Sequence, residues 1–428
     1  MRCPLRLKQP LLPPPPNYLA LGDAAFEKSD YATAKAEYVK FVDASGNIND
    51  TADQKSANIR VLMRLGKCCR NLAQLAESRD WFGKVISTCP DLKGDCATAQ
   101  YELGLSYGRD RKLNDAIAAL EKVVTDYPTE RPQGANALLK MAKIASGPKH
   151  RSFSTATFQR LIRDYPDQKE ACKEGRWLLA LALDDDTKIN EAIAILRGML
   201  ESADYTADEK GDALVKIADV QARAARWSDA KATAQRVLSE HKDSPTQCRD
   251  AKWVMAQVSV ETGDPTGAVA LIDELRPGMS HDRQAPLTLW AGACYWIMGD
   301  KAKAEQYFTK VITDFSDVPD MADEAYFHRA RLRIAKGDFA GATPDINKIK
   351  TEYLLRVVAG EWHYLQGDYG AASAEYEKSI ASLPKSRIMP NEPIMAFNRL
   401  VACYTRLHQE DKAQQTRARL SQYEGGFK

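Results

Sequence analysis

Apolar residues recur along most of the chain in short blocks, at the three- and four-residue steps of an α-helix. Within residues 97–128, one block carries Leu103 and Tyr107, and the next carries Ile117, Leu120 and Val123. Each block is about 12 to 15 residues long, which corresponds to roughly 20 Å of helix. Almost no segment shows the strict alternation of a β-strand. The pattern therefore predicts an all-α protein built from pairs of short helices.

The two helices of a pair are predicted to be joined by a tight turn, which is clearest where glycine precedes aspartate. Glycine adopts the left-handed conformation that ends a helix, and aspartate then accepts hydrogen bonds from the first amides of the next helix. The pairs are Gly263-Asp264, Gly299-Asp300, Gly337-Asp338 and Gly367-Asp368. The predicted unit is a helical hairpin.

This hairpin repeats, and the step is 38 residues over much of the chain. Pro90, Pro128 and Pro166 are spaced by that step. A column of mostly small residues in the first helix follows the same step with some drift: Gly22, Gly66, Gly104, Ala142, Ala180, Ala218, Ala256, Gly292, Ala330, Gly360 and Val401. The column marks eleven units, which cover nearly the whole chain.

A second column, of alanine, lies in the second helix of the hairpins: Ala34, Ala116, Ala192, Ala230, Ala268, Ala304, Ala342, Ala372 and Ala413. Small residues are required where helix axes approach to about 8–10 Å or less. One hairpin cannot cover its own apolar face, so neighbouring hairpins must stack on it. We therefore predict an α-solenoid of about eleven hairpins.

The order of residues in the unit resembles the tetratricopeptide repeat. Leu103-Gly104, Tyr107, Ala116, Leu120 and Pro128 stand at the spacing of that family, and so do Leu65-Gly66, Phe82 and Pro90. The resemblance covers residues 17–424 and implies a right-handed superhelix whose first helices line a concave groove for a peptide or a partner's helix. The family's usual unit is about 34 residues, so the longer unit here is predicted to have an additional turn on the second helix.

The longer units that end in Tyr-Pro are also similar to those of bacterial envelope proteins. Two such families are the lipoprotein of the outer-membrane barrel assembly machine and the periplasmic coordinator of the Tol-Pal system. This likeness depends on the short motifs TDYP, RDYP and TDFS. It implies a role in the bacterial cell envelope.

Charge and hydropathy narrow the choice of partner. The 428 residues include 60 Lys and Arg against 58 Asp and Glu, a formal net charge of +2. So balanced a chain supplies no field that draws nucleic acid or anionic lipid. Mean hydropathy is −0.45, and no stretch approaches the roughly 18 to 20 apolar residues of a membrane helix. We expect a protein or peptide partner, no nucleic acid and no integral membrane segment; the oligomeric state is left open.

The domain prediction has three parts. Residues 1–16 hold six prolines and are predicted to be a tail or linker. Residues 17–276 are predicted to form seven hairpins and residues 282–424 four, with a hinge or change of curvature at Arg276-Pro277-Gly278-Met279-Ser280-His281. Cys3 before a proline-rich tether resembles the start of a mature bacterial lipoprotein, although no lipobox precedes it. We therefore expect an envelope or periplasmic location if the natural N-terminus differs, and a cytoplasmic one otherwise.

Motifs for chemistry are weak, and we predict no enzyme activity, cofactor or metal site. The nine cysteines are scattered, and only Cys89 and Cys96 are spaced so that they could meet. Gly104 to Gly108 spells the Gly-x-Ser-x-Gly of a hydrolase elbow, which requires a preceding strand and a strained turn. Here Gly104 and Tyr107 occupy repeated packing positions of a predicted helix. Asp184-Asp185-Asp186 lacks the other ligands of a calcium loop and is assigned to helix capping.

Candidate binding residues come from the first helices. One row across the units reads Leu19, Met63, Tyr101, Leu139, Trp177, Val215, Trp253, Leu289, Phe327 and Val357. The row is interpreted mainly as packing between first helices, with its large rings as alternative anchors for a partner. The anchor candidates from this row are Tyr101, Trp177, Trp253 and Phe327. Two further candidates, Trp296 and Tyr364, are aromatic residues near the C-terminal third of the chain. A weaker candidate is a cationic clamp for a peptide carboxylate, made of Lys67, Arg70 and Lys143.

Two functional hypotheses follow. The first is a non-enzymatic scaffold that binds a partner protein or peptide along the inner surface of the solenoid. The second is a regulatory or substrate-recruiting subunit of a larger enzyme complex whose catalysis lies on another chain. Neighbouring reading frames would discriminate between them, because barrel-assembly or Tol-Pal genes favour the first and an adjacent transferase, kinase or protease favours the second.

Overall fold

The computed structural model describes residues 17–44, 52–185, 188–383 and 391–425. Within these ranges the backbone forms twenty-two α-helices and two 3-10 helices, and it forms no strand. The predicted all-α class and its repeated helical pairs are therefore confirmed. The chain divides into two units, with the boundary after Lys188.

The first unit contains four helical hairpins followed by a single helix. Its helices are α1 (Tyr18–Glu27), α2 (Tyr31–Ala44), α3 (Ala52–Asn71), α4 (Leu75–Thr88), α5 (Lys93–Arg109), α6 (Leu113–Asp126), α7 (Arg131–Ile144), α8 (Arg151–Asp164) and α9 (Lys169–Asp185). Each helix packs on the next, from α1 to α9. A 3-10 turn at Pro148–His150 precedes α8.

The second unit begins with one helix and continues with six hairpins. Its helices are α10 (Ile189–Glu201), α11 (Ala207–Arg223), α12 (Trp227–Glu240), α13 (Pro245–Glu261), α14 (Pro265–Leu275), α15 (His281–Ile297), α16 (Lys301–Asp314), α17 (Pro319–Ile334), α18 (Phe339–Ile346), α19 (Glu352–Leu365), α20 (Tyr369–Ala381), α21 (Asn391–Arg406) and α22 (Glu410–Gly425). Consecutive helices again pack on each other, and first helices also pack side by side, as α11 does on α13 and α17 on α19. Each unit is therefore a helical-repeat stack.

The observed boundary differs in place from the predicted joint. Residues 276–281 lie inside the second unit, where Arg276–Gly278 form a 3-10 turn. Leu275 and Met279, on either side of that turn, are both buried in one apolar cluster with Ile272 and Leu287. Ten of the eleven predicted hairpins each lie wholly inside one of the two units. The two helices of the remaining pair, α9 and α10, belong to different units. The predicted tail at residues 1–16 lies outside the described residues.

The column of small residues is confirmed as the place where two helices of a hairpin meet. A Cβ atom added to Gly66 would lie 2.5 Å from the Phe82 ring, and one added to Gly292 would lie 2.7 Å from the Phe308 ring. Such separations are well inside van der Waals contact, so no larger residue fits without movement. Gly22 and Gly360 face Tyr38 and Tyr376 in the same way.

The alanine column is confirmed as well, since all nine alanines are fully buried. Two hairpins have serine at this place. Ser78 Oγ donates to the carbonyl of Gly66 at 2.8 Å, and Ser154 Oγ donates to the carbonyl of Ala142 at 2.8 Å. The hydroxyl thus remains hydrogen-bonded in an interior where an unpaired polar group would be costly.

The predicted Gly-Asp turns are confirmed in detail. Gly263, Gly299, Gly337 and Gly367 have φ angles of 77° to 84°. The aspartate after each glycine accepts a hydrogen bond from a backbone amide in the first turn of the following helix. Five other turns place a non-glycine residue in the left-handed conformation, and these residues are Ser29, Ala73, Arg111, Ala225 and His408.

The two cysteines that the sequence analysis singles out lie close together but are not bonded to each other. Cys89 and Cys96 are both free thiols. Cys96 Sγ lies 3.1 Å from the carbonyl oxygen of Cys89 and donates to it at the end of α4. Cys172 makes the equivalent contact with the carbonyl of Tyr165 at 3.1 Å. The seven-residue spacing therefore marks a repeated thiol-to-carbonyl contact between hairpins.

Candidate functional site

A cavity of about 410 Å³ opens on the first-helix face of the second unit. Here the first-helix face means the surface formed by α13, α15, α17, α19 and α21. Most of the cavity wall is apolar: Val260, Leu289, Trp290, Ala293, Trp296, Ile297 and Met395. The polar lining residues are Glu261, Glu324, His328 and Arg331.

Helical periodicity places these side chains together. Leu289, Ala293 and Trp296 follow each other at one-turn intervals on α15. Glu324, His328 and Arg331 do so on α17, which packs against α15. Leu289 and Trp290 are buried, whereas Ile297, the last residue of α15, is 59% exposed. The lining therefore extends from the core to a mouth at Ile297 that is open to solvent.

An aromatic cluster supports the wall beside Trp296. The His328 ring stacks on Phe308 with 5.3 Å between centroids and an interplanar angle of 15°. Trp296 meets His328 edge-on at 6.4 Å. Burial, and to a lesser extent the positive charge of Arg331, lowers the pKa of His328 to about 3. The imidazole is therefore neutral near pH 7, and His328 adds no charge to the cavity wall.

Arg331 links its own hairpin to three others at the edge of the cavity. Its guanidinium donates to both carboxylate oxygens of Glu361, at 2.6 and 3.0 Å. It also lies 5.3 Å from the Trp296 ring centroid and 2.7 Å from Met395 Sδ. Met395 belongs to the last hairpin, 64 residues away along the chain. Contacts on this face therefore reach beyond adjacent hairpins.

The predicted aromatic candidates of the second unit have different positions. Trp296 lines the cavity, and Trp253 lies against the lining residue Trp290 with 5.1 Å between centroids. Tyr364 lies outside the cavity lining, between Tyr369 and the guanidinium of Arg399. Phe327 is fully buried, because its ring packs under His328 and Arg331. This burial contradicts the predicted role of Phe327 as an exposed anchor.

The two aromatic candidates of the first unit, Tyr101 on α5 and Trp177 on α9, are both partly buried. Burial, together with the neighbouring Glu102 carboxylate, raises the pKa of the Tyr101 phenol. Partial burial agrees with the interpretation of the row as packing between first helices. Other members of that row, including Leu139, Leu289 and Val357, are buried outright.

The cations suggested for a carboxylate clamp are already paired within the chain. Lys67 and Arg70 both contact the carboxylate of Glu102, with Lys67 Nζ at 3.5 Å. Lys143 Nζ lies 2.6 Å from Glu174 Oε1. A peptide carboxylate would have to displace these glutamates, so the arrangement does not favour the clamp.

The hydrolase-like motif is accounted for by packing. Ser106 is fully buried in α5, and its Oγ donates to the carbonyl of Leu75 at 3.2 Å. The residues lie in regular helix and form no strained turn. Over the part of the chain that the structure describes, no group of three or more His, Cys, Asp and Glu residues is placed to hold a metal ion. Nor is any helix there both long enough and apolar enough to cross a membrane.

The sequence analysis names none of His328, Arg331 and Met395 as a site residue. A usable signal was the run Trp296-Ile297-Met298, which places three large apolar residues together just before a Gly-Asp turn. Ile297 and Met298 are 59% and 41% exposed. Met395 contacts Arg331 of α17 from 64 residues away, so no three- or four-residue spacing predicts this contact.

Comparison with known proteins finds one repeat family in three segments of the chain. Family models described as "Tetratricopeptide repeat" match residues 98–129, 212–244 and 288–313. These segments correspond to α5–α6, α11–α12 and α15–α16. No curated protein matches the sequence.

Several solved structures have similar backbones at low identity. A tetratricopeptide repeat protein from Parabacteroides merdae is 16% identical, with a TM-score of 0.48, over 62% of this chain and 100% of that chain. The apo form of the quorum sensor NprR from B. thuringiensis is 13% identical, with a TM-score of 0.46, over 78% of this chain and 96% of that one. The apo form of RapI is 13% identical, with a TM-score of 0.47, over 85% and 96%. We draw no functional conclusion from likenesses at this level.

Stacked hairpins with close small-residue contacts, and a cavity on the first-helix face, define the class as an all-α helical-repeat protein. The three matched segments are tetratricopeptide repeats, and left-handed turns of the same kind recur in most of the hairpins that the models leave unmatched.

Proposed function

We propose that this protein is a non-enzymatic scaffold that binds a partner protein or peptide on the first-helix face of its second unit. The observation that carries the proposal is the apolar cavity on that face, with Ile297 59% exposed at its mouth. Exposed apolar surface that is rimmed by polar residues commonly marks a protein interaction site. The groups that could suggest catalysis have packing roles, as Ser106 and His328 do.

Site-specific photocrosslinking tests this proposal. A benzophenone amino acid would replace Ile297 on α15 or, as the matched control, the exposed Ala302 on α16 of the same hairpin. In native cells we expect a discrete crosslinked protein from position 297 and none from position 302. The captured protein is then purified and titrated against the intact chain by calorimetry. Crosslinks from position 302 alone, or no measurable binding of the purified partner, would contradict the proposal.

A cell-envelope setting is a finer part of the proposal, supported by the likeness of the longer units to bacterial envelope proteins. Fractionation of cells that produce the tagged protein at its natural level tests it. Recovery with periplasmic or envelope fractions is expected. Recovery in the cytosolic fraction alone would remove the envelope role and leave the scaffold proposal in place.

A further inference from the structure

We infer that the cavity in the second unit receives one large, uncharged apolar side chain, aromatic or branched aliphatic, from the partner protein. This inference rests on the proposed function and goes beyond it by naming the chemistry of the group that is bound. The occupant is inferred from the size, lining and charge of the cavity.

Size limits the occupant. A volume of about 410 Å³ lies near the lower end of the roughly 300–1,000 Å³ typical of pockets that hold small ligands. A single large side chain fits this scale.

The lining favours an apolar group. Leu289, Ala293 and Trp296 present three successive one-turn positions of α15 to the cavity. Trp290, supported by Trp253, closes one side at 5.1 Å between ring centroids. A fully buried apolar side chain contributes about 1.5–3 kcal/mol, which suits an anchor residue.

Charge disfavours an anionic group. The one arginine in the lining, Arg331, already holds the carboxylate of Glu361 through two hydrogen bonds. The other ionisable lining residues are Glu261, Glu324 and the neutral His328. An acidic side chain would therefore meet two lining carboxylates and an arginine that already binds a carboxylate. This separates the cavity from a carboxylate clamp.

Blocked amino acids are the probes for this inference. N-acetyl amides of tryptophan, leucine, lysine and aspartate would be titrated into the intact protein and followed by saturation-transfer NMR. We expect the tryptophan and leucine amides to bind with dissociation constants of about 1 mM, and the aspartate amide to show no saturable binding. Equal signals from all four amides, or none from the apolar pair, would overturn the inference.

Two variants localise the binding. Ala293→Trp fills the cavity and should weaken the apolar amides by about tenfold or more. The matched control Ala302→Trp, on the exposed side of α16, should leave them unchanged. Ile297→Asp, at a mostly exposed mouth residue, should also weaken binding and serves if Ala293→Trp fails to fold. Unchanged binding in the folded variants would overturn the assignment to this cavity.

The partner captured at position 297 separates this inference from the proposed function. If Ala293→Trp and Ile297→Asp abolish binding of that partner, its anchor occupies the cavity. If the partner binds both variants as tightly as the parent protein, the scaffold function stands and the present inference is wrong. If the apolar amides bind but no protein partner is captured, the proposed function fails, and with it the assignment of the occupant to a protein.

Discussion

Gly104 on α5 faces Leu120 on α6 so closely that a Cβ atom on Gly104 would lie 2.5 Å from the Leu120 Cγ atom. Leu120 is fully buried and has no room to withdraw. The same relationship joins Gly66 with Phe82 and Gly292 with Phe308. The absence of one side chain thus sets how closely the two helices of a hairpin can pack.

Gly104→Val should destabilise the first unit by about 1–3 kcal/mol, because the added methyl groups overpack the α5–α6 contact. The control is Gly83→Ala on α4, where an added Cβ meets nothing within 4 Å. That change should stabilise slightly, by about 0.5–1 kcal/mol, through helix propensity. Urea unfolding with hydrogen exchange of α5 and α6 distinguishes the two. Equal stability of both variants would show that the column does not set the packing.

Ala225→Gly should stabilise the second unit by about 0.5–1 kcal/mol. Ala225 has a φ of 55°, a conformation that costs an L-residue about 1–2 kcal/mol, and the added freedom of glycine in the unfolded chain offsets part of the gain. The mirror change, Gly263→Ala at a φ of 77° with open space around it, should destabilise by about 1 kcal/mol. Thermal unfolding of both variants tests the pair. Opposite signs are required.

Stability of the second unit should fall as the pH is lowered from about 7 to 5. His328 has a pKa of about 3 in the folded protein, whereas an unfolded histidine titrates near 6.5. Between these values the unfolded chain binds the extra proton, so acid favours unfolding by on the order of 1–2 kcal/mol over that range. Denaturant unfolding of the parent and His328→Gln at both pH values measures the difference, and the variant should depend less on pH.

The direct check on His328 is its own titration. The Cε1 proton resonance, assigned by its loss in His328→Gln, should not move between about pH 7 and 5 in the folded protein. A midpoint near 6.5 would show that the ring is solvated and becomes charged in the folded protein.

Asp345→Ala should be among the most destabilising single changes in the second unit. The Asp345 carboxylate is 3% exposed and accepts from Arg329 at 2.6 and 2.9 Å and from Arg333 at 3.1 Å. Its removal leaves two guanidinium groups in a largely buried site without that partner, which costs about 3–5 kcal/mol. Glu352→Ala, which breaks an exposed pair with Arg356, is the control and should change thermal unfolding little. Similar losses for both would contradict a buried network.

Much of the fold could be predicted from the sequence because the same steric problem recurs in each repeat. Every close approach requires a small residue opposite a large one, and Gly66 with Phe82 has the same spacing as Gly292 with Phe308. The turns could be predicted for a similar reason, because each tight turn itself requires a left-handed glycine and a capping aspartate. Ala73 and Arg111 show the limit: the turn geometry persists where its residue signal does not.

The candidate site could be predicted only in part, because burial depends on neighbours that local spacing does not reveal. Phe327 and Trp296 are both large rings on first helices, yet the first is core and the second lines the cavity. Lys67 and Arg70 could be read as free cations until Glu102 of the next hairpin is placed between them. Met395 reaches α17 across an intervening hairpin, which no periodic pattern shows.

Hydrogen–deuterium exchange of the complex with the captured partner tests the central claim most directly. Slowed exchange in α15 and α17, with α14 and α16 unchanged, is the predicted result, since the partner is expected to cover the first-helix face of the second unit. Slowed exchange confined to α14 and α16, with α15 and α17 as free as in the unbound protein, would contradict it.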